Sequence, residues 1–136
     1  MLKPLQTRTS AVSFSNKMIK EIAFTAYPVK DIKKARKFYE DILGLKASSD
    51  FNSGSWIEYS IGKSTLAIGC MEGWEPSAGG GSIALEVKGI EKFVSMLKDN
   101  KVHIALDTQI FPNCSMAIIR DIDGNSIILH EMIKKQ

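Results

Sequence analysis

Apolar positions along the chain follow two periods, and the switches between them mark the elements. Residues 19–27 (IKEIAFTAY) are rich in β-branched and aromatic side chains and are closed by Pro28, which predicts a strand. Beyond Asp31 the apolar residues Ile32, Ala35, Phe38, Tyr39, Ile42 and Leu43 recur at helical spacing, with Lys33, Lys34, Arg36 and Lys37 on the other face. Asp31 suits an N-cap, because its carboxylate can accept from the free amides of the first turn. Gly44 suits the left-handed residue that ends a helix. The spacing therefore predicts a helix over 31–43. Three strands are expected next, at 45–50, 55–61 and 64–70, the last two joined by the tight turn Gly62-Lys63. Residues 72–81 (EGWEPSAGGG) read as a linker.

The order then repeats. Residues 82–87 (SIALEV) predict a strand. Gly89 opens a second helix with Ile90, Phe93, Val94 and Leu97 on one face and Asn100 near its end. A strand over 102–106 precedes a hairpin, 114–120 and 125–131, around the turn Asp121-Ile122-Asp123-Gly124. Self-similar halves predict an α+β domain of two βαβββ modules, about 18–71 and 81–136, forming a curved mixed sheet around a cleft with the helices on its outer face. Strand alternation then sorts the residues. Ile57, Tyr59, Leu66, Ile68, Ile83, Leu85, Val87, Ile127 and Leu129 form an apolar set that suits packing on helices. Ile22, Phe24, Ala26, Glu58, Thr65, Ala67, Ser82, Ala84, Glu86, Ile128 and His130 form the cleft-facing set.

The formal charge of +3 comes from the first 17 residues, where Lys3, Arg8 and Lys17 meet no acid; residues 18–136 carry 15 basic and 15 acidic side chains. A neutral body argues against nucleic acid as a partner, since that needs a gathered basic face. Residues 1–17 are polar, Ser/Thr-rich and aperiodic, without the apolar core of a secretory signal. They are expected to be a disordered extension, or the product of an upstream start with Met18 as the initiator. No apolar run approaches a membrane span, and Cys70 and Cys114 form no CxxC or metal-ligand spacing. Reduced thiols and a cytoplasmic location are the expectation.

Two segments carry a family resemblance. Residues 23–46 (AFTAYPVKDIKKARKFYEDILGLK) combine a first strand, the capping Asp31, the pair Phe38-Tyr39 and the closure Leu43-Gly44-Leu45. Near the C-terminus, IIRDIDGNSIILHE places a strand, an Asp-x-Asp-Gly turn and a final strand, with Ile122 where a proline is usual. Together they resemble the vicinal oxygen chelate superfamily, which includes glyoxalases, bleomycin-resistance proteins and extradiol dioxygenases. The resemblance covers residues 18–131 and implies a paired-module fold, often a homodimer. It says little about activity, since the superfamily spans lyases, epimerases, dioxygenases and pure binding proteins.

Metal-using members of that superfamily clamp a divalent ion with four inward side chains, mostly His, Gln and Glu, from the first and last strand of each module. Carried over, those positions fall on Phe24, seven before the capping Asp31, on about Ala67 in the last strand of the first half, on Ser82, where Gly81-Ser82 stands for the usual Gly-His, and on Ile128, four after the turn Gly124. Only Ser82 offers an oxygen, so no metal and no other cofactor is expected there. His130, two beyond Ile128 on the same face, is the residue nearest to restoring a ligand; Glu131 points the other way.

What remains for the cleft is organic chemistry. Glu58, Glu86 and His130 are the candidate catalytic residues. A carboxylate on an apolar wall can serve as a general base or hold a cation, and His130 paired with it can pass a proton; alternatively, both glutamates simply meet water at the cleft mouth. Phe24, Ala67, Ser82, Ile128, Trp56 and Trp74 are the candidate ligand-binding residues. The two indoles are suited to stacking on a flat molecule, Trp74 as a lid in the linker and Trp56 either there or in the core. Three functions follow: a metal-free small-molecule-binding protein of the bleomycin-resistance type, a glyoxalase-like lyase or isomerase, or a dimeric interaction subunit.

Overall fold

The computed structural model of the chain describes Met18 and residues 21–133. The expected N-terminal extension, 1–17, lies outside the described residues, as do Ile19 and Lys20 of the first predicted strand. That strand, β1, is confined to Thr25–Pro28. Its partner β4, Ser64–Gly69, sets the limit: Thr25 pairs with Leu66 in parallel, so Glu21 and Ile22 lie beyond the start of β4. Pro28, expected to end the strand, instead fills its last position opposite Gly69. A proline is tolerated there because β1 is an edge strand and needs no amide on its open side.

The first helix is two pieces. Asp31 caps α1, Ile32–Arg36, by accepting from the Lys34 amide at 3.1 Å. From Lys37 to Ile42 the turn widens to π-helix, with the Leu43 amide reaching the Phe38 carbonyl at 3.0 Å. The wider turn buries Phe38 and Tyr39 side by side. A 3.6-residue period matches the same apolar positions, so the sequence predicted an unbroken α-helix.

β2, Ala47–Phe51, a 3₁₀ turn at Asn52–Gly54, and β3, Trp56–Ile61, complete the first module. The second comprises β5, Ile83–Glu86, α2, Ile90–Asp99, β6, His103–Ile110, β7, Cys114–Arg120, and β8, Ser126–Met132. Hydrogen bonding groups the strands into two four-stranded sheets of the same plan, β1-β4-β3-β2 and β5-β8-β7-β6, each with one parallel pair. β6 runs well past the predicted 102–106. Its outer half, with Asp107, Thr108 and Gln109, is an exposed edge with two register shifts, so no alternating pattern announces it.

The expected helix-facing residues hold the core. Ile57, Tyr59, Leu66, Ile68, Ile127 and Leu129 are fully buried, and Ile83, Leu85 and Val87 pack beside them from the edge of the second sheet. The N-terminus of α2 is closed from outside the helix: Gly89, at φ +72°, has no side chain to cap with, and the Glu131 carboxylate accepts from the Gly89 and Ile90 amides at 2.8 and 2.9 Å. Those two amides, Ile90 first, hold the Glu131 carboxyl below its ordinary range.

Side chains rather than strand pairing tie the modules together. Tyr27 donates its hydroxyl proton to the Ser126 carbonyl at 2.5 Å and accepts the Ile83 amide at 2.6 Å. Asn125 Nδ2 donates to the Pro28 carbonyl and to Asp121 Oδ2, both at 2.8 Å. Tyr39 donates to the same Asp121 oxygen at 2.7 Å, while Asp121 Oδ1 accepts the Asp123 and Asn125 amides at 2.9 Å. The buried Asp121 thus organises the turn that Ile122 leaves without its usual proline. Burial, then the Asp121 charge, pushes the Tyr39 phenol far above its ordinary value.

Candidate functional site

Trp56 and Glu58 point to one face of β3, opposite Gly69 and Ala67 of β4. Gly69 is the floor of this wall. A Cβ there would lie 2.7 Å from Trp56 Cε3 and 3.1 Å from Trp74 Cζ3, so only a bare backbone lets both indoles lie over the strand. The two rings stack with centroids 6.2 Å apart and planes 20° apart. Phe24 meets Trp56 edge-on at 5.6 Å. Trp56 Nε1 donates to Glu58 Oε2 at 2.9 Å, which fixes both the indole and the carboxylate. Trp56 therefore belongs to this wall and is half-buried, and Trp74 reaches it from the loop after β4.

A cavity of about 470 Å³ adjoins the wall and is bounded by both modules: Phe24 and Thr65 from one, Ala84 and Glu86 from the other. Glu86 pairs in register with His130. Its Oε1 lies 2.6 Å from His130 Nδ1, and its Oε2 accepts the Met132 amide at 2.7 Å. The His130 hydrogen bond first, and the Met132 amide second, hold the Glu86 carboxyl below its usual range. A carboxylate on Nδ1 selects the tautomer with its proton there, leaving Nε2 as a base. The structure brings Glu86 and His130 together; Glu58 bonds instead to Trp56.

The four positions carried over for a metal do not fit one. Phe24 presents a ring that is 46% exposed, and Ala67 presents a methyl group shut off from solvent at 0%. Ser82 lies before β5 in exposed chain, where the sequence placed it inside the strand. Across the parallel pairs Ile128 faces Ala84 and Ala67 faces Ala26, which add no donor, and Glu58, opposite Ala67 on β3, is taken by Trp56 Nε1. Among the described residues no three His, Cys, Asp or Glu side chains gather as a metal set. Ala67 is also too enclosed to touch a ligand. Gly69 escaped the sequence reading, although an isolated glycine inside a strand is a signal of close approach.

A family profile described as the Glyoxalase/Bleomycin resistance protein/Dioxygenase superfamily matches residues 21–129. Among solved structures, an antibiotic binding protein from a Streptomyces species superposes with a TM-score of 0.71 at 21% identity, over 85% of this chain and 98% of its own. A member of the same superfamily from Sphaerobacter thermophilus gives 0.70 at 24% identity, over 84% and 98%. A lactoylglutathione lyase from Agrobacterium tumefaciens gives 0.64 at 19% identity, over 83% and 94%. At these identities the likeness is one of fold. No curated protein sequence matches the chain.

Proposed function

The chain belongs to the glyoxalase/bleomycin resistance protein/dioxygenase superfamily, and from that premise we propose that it binds a small, flat, positively charged organic molecule without a metal at the superfamily's usual positions. The observation that carries this is the aromatic wall. Stacked Trp56 and Trp74 offer π-faces to a planar ligand, and an indole face attracts a cation. Glu58, pinned by Trp56 Nε1, supplies the counter-charge at the same wall. The antibiotic binding protein among its structural relatives supports the reading. We further propose a homodimer working in the cytoplasm. Exposed Ile110, Phe111, Met132 and Ile133 at one end of the second sheet suit a contact between copies, and the free thiols Cys70 and Cys114 suit a reducing compartment. Among the described residues no helix is long and apolar enough to cross a membrane.

Tryptophan fluorescence tests the reading, with proflavine as the flat cation and anthracene-9-carboxylate as its anionic counterpart. Saturable quenching by proflavine, weakened by Trp56→Leu and by Glu58→Gln, is the expected result. Equal response to both dyes, or none, overturns it. A second reading, a lyase or isomerase, is favoured by the 2.6 Å pair of Glu86 and His130. Turnover of lactoylglutathione that disappears in His130→Ala would put it first.

A further inference from the structure

Away from the aromatic wall, a second cavity of about 410 Å³ opens where the two modules meet. Its walls differ in character. Phe38 and Ile42 from the π-helical turn and Ile122 from the β7–β8 turn make one side apolar; Lys101, His103 and Arg120 make the other basic. His103 and Arg120 are cross-strand partners on β6 and β7. No Asp or Glu lies within ion-pair distance of Lys101 or Arg120 among the described residues, where the ion pairs are Arg36 with Glu40 and Asp50, Lys98 with Asp107, and His130 with Glu86. The one acid on the wall, Asp121, is held by Tyr39, Asn125 and the turn amides.

Two further observations describe the basic side. Arg120 Nη1 donates to the Gly124 carbonyl at 3.3 Å, but its Nε is buried with no acceptor. A buried Nε–H without a partner is rare in folded proteins, so this guanidinium keeps hydrogen-bonding capacity that the fold does not use. Lys101 sits at φ +61°, a left-handed position that glycine or asparagine ordinarily fills at the end of a helix. It closes α2, with the Val102 amide on the Leu97 carbonyl at 3.0 Å, and Lys101 lines the same cavity as Arg120.

We propose that this cavity is a second binding site, for a small organic monocarboxylate. The carboxylate meets the Arg120 guanidinium at its terminal amino groups, since Nε is closed to contact, and the Lys101 ammonium. The apolar body of the ligand lies on Phe38, Ile42 and Ile122. Inorganic phosphate meets the charge but not the apolar wall, which would strip its hydration without replacing it.

The test uses the full chain labelled with ¹⁵N, with benzoate, inorganic phosphate and benzyl alcohol as probes. Benzoate is expected to shift the Arg120 Nε–H and His103 resonances saturably, and to bind at least about tenfold more tightly than either of the others. Arg120→Gln and Lys101→Gln should each weaken benzoate roughly tenfold, the usual effect of losing one charge-assisted hydrogen bond. Lys101 is exposed, so its variant keeps the test decisive if Arg120→Gln fails to fold. Proflavine quenching of the tryptophans should be unchanged in both variants, which separates this site from the one at the aromatic wall. No benzoate shift at Arg120, phosphate binding as tight as benzoate, or undiminished affinity in Lys101→Gln overturns the proposal.

Discussion

Replacing Gly69 by alanine tests the aromatic wall with one methyl group. The new Cβ would stand 2.7 Å from Trp56 Cε3 and 3.0 Å from Trp56 Cζ3. Carbon contacts are comfortable at about 3.5–4.0 Å, so the indole must retreat by roughly 1 Å. It cannot swing away freely, because Nε1 is bonded to Glu58 and Phe24 meets the indole at a near-perpendicular angle. Trp74 Cζ3, 3.1 Å from the same methyl, closes the other route. Overpacking of this kind costs about 1–3 kcal/mol. Against it, alanine restricts the unfolded chain and returns about 0.4–1 kcal/mol. Strain wins on these magnitudes, with a net loss of about 1–2 kcal/mol and a fall of several degrees in Tm. The assay is thermal unfolding together with near-UV circular dichroism, which reads the coupling between stacked indoles. The ellipticity from the pair should collapse, and in the Trp56→Leu background the alanine should become neutral or stabilising, since its obstacle has gone. A Gly69→Ala protein as stable as the parent with the same near-UV spectrum would refute the argument.

Three other perturbations probe the frame. Tyr39→Phe removes one donor from buried Asp121 Oδ2 and should cost about 1–2 kcal/mol in urea unfolding at unchanged m-value. Glu131→Gln should lower Tm at neutral pH. The folded Glu131 carboxyl is held below its unfolded value, so its contribution is present above about pH 4.3 and is lost as pH falls through the folded value. The gap in Tm between parent and variant should therefore close toward pH 3, and a gap constant with pH would contradict the capping role. His130→Ala should raise the Glu86 carboxyl toward its ordinary range, read by carbon NMR across a pH titration, because the His130 hydrogen bond is the main cause of its depression.

Much of the fold was legible because burial imposes a period. Ile57, Tyr59, Leu66 and Ile68 alternate along two strands and all end in the core, so strand positions and faces could be read directly. The π-helical turn could not, since Phe38 and Tyr39 satisfy a 3.6-residue stripe and a wider turn alike. The end of β6 was hidden for the opposite reason: an exposed edge imposes no pattern. At the site, alternation put Glu58, Glu86 and His130 on one face, but which carboxylate meets His130 is set by the pairing of β5 with β8. Ser82 was placed at the start of a strand by the Gly81-Ser82 pair, whereas the pairing of β5 with β8 begins one residue later, at Ile83. Gly69 signalled a close approach, but that Trp56 and the loop residue Trp74 both lie over it depends on cross-strand register and on where the loop lands.

The side-chain joint between the modules also sets how the molecule breathes. β1 and β5 belong to separate sheets, so the halves can part without unzipping either ladder. The barrier to that parting combines the apolar core the two modules share with the Tyr27 hydroxyl, the Asn125 amide and the Asp121 carboxylate. In hydrogen exchange this makes the Ile83 amide, held by a tyrosine and not by a strand, a reporter of opening between the halves. It should exchange well before the amides of β7 and β8, whose release requires the second sheet itself to come apart.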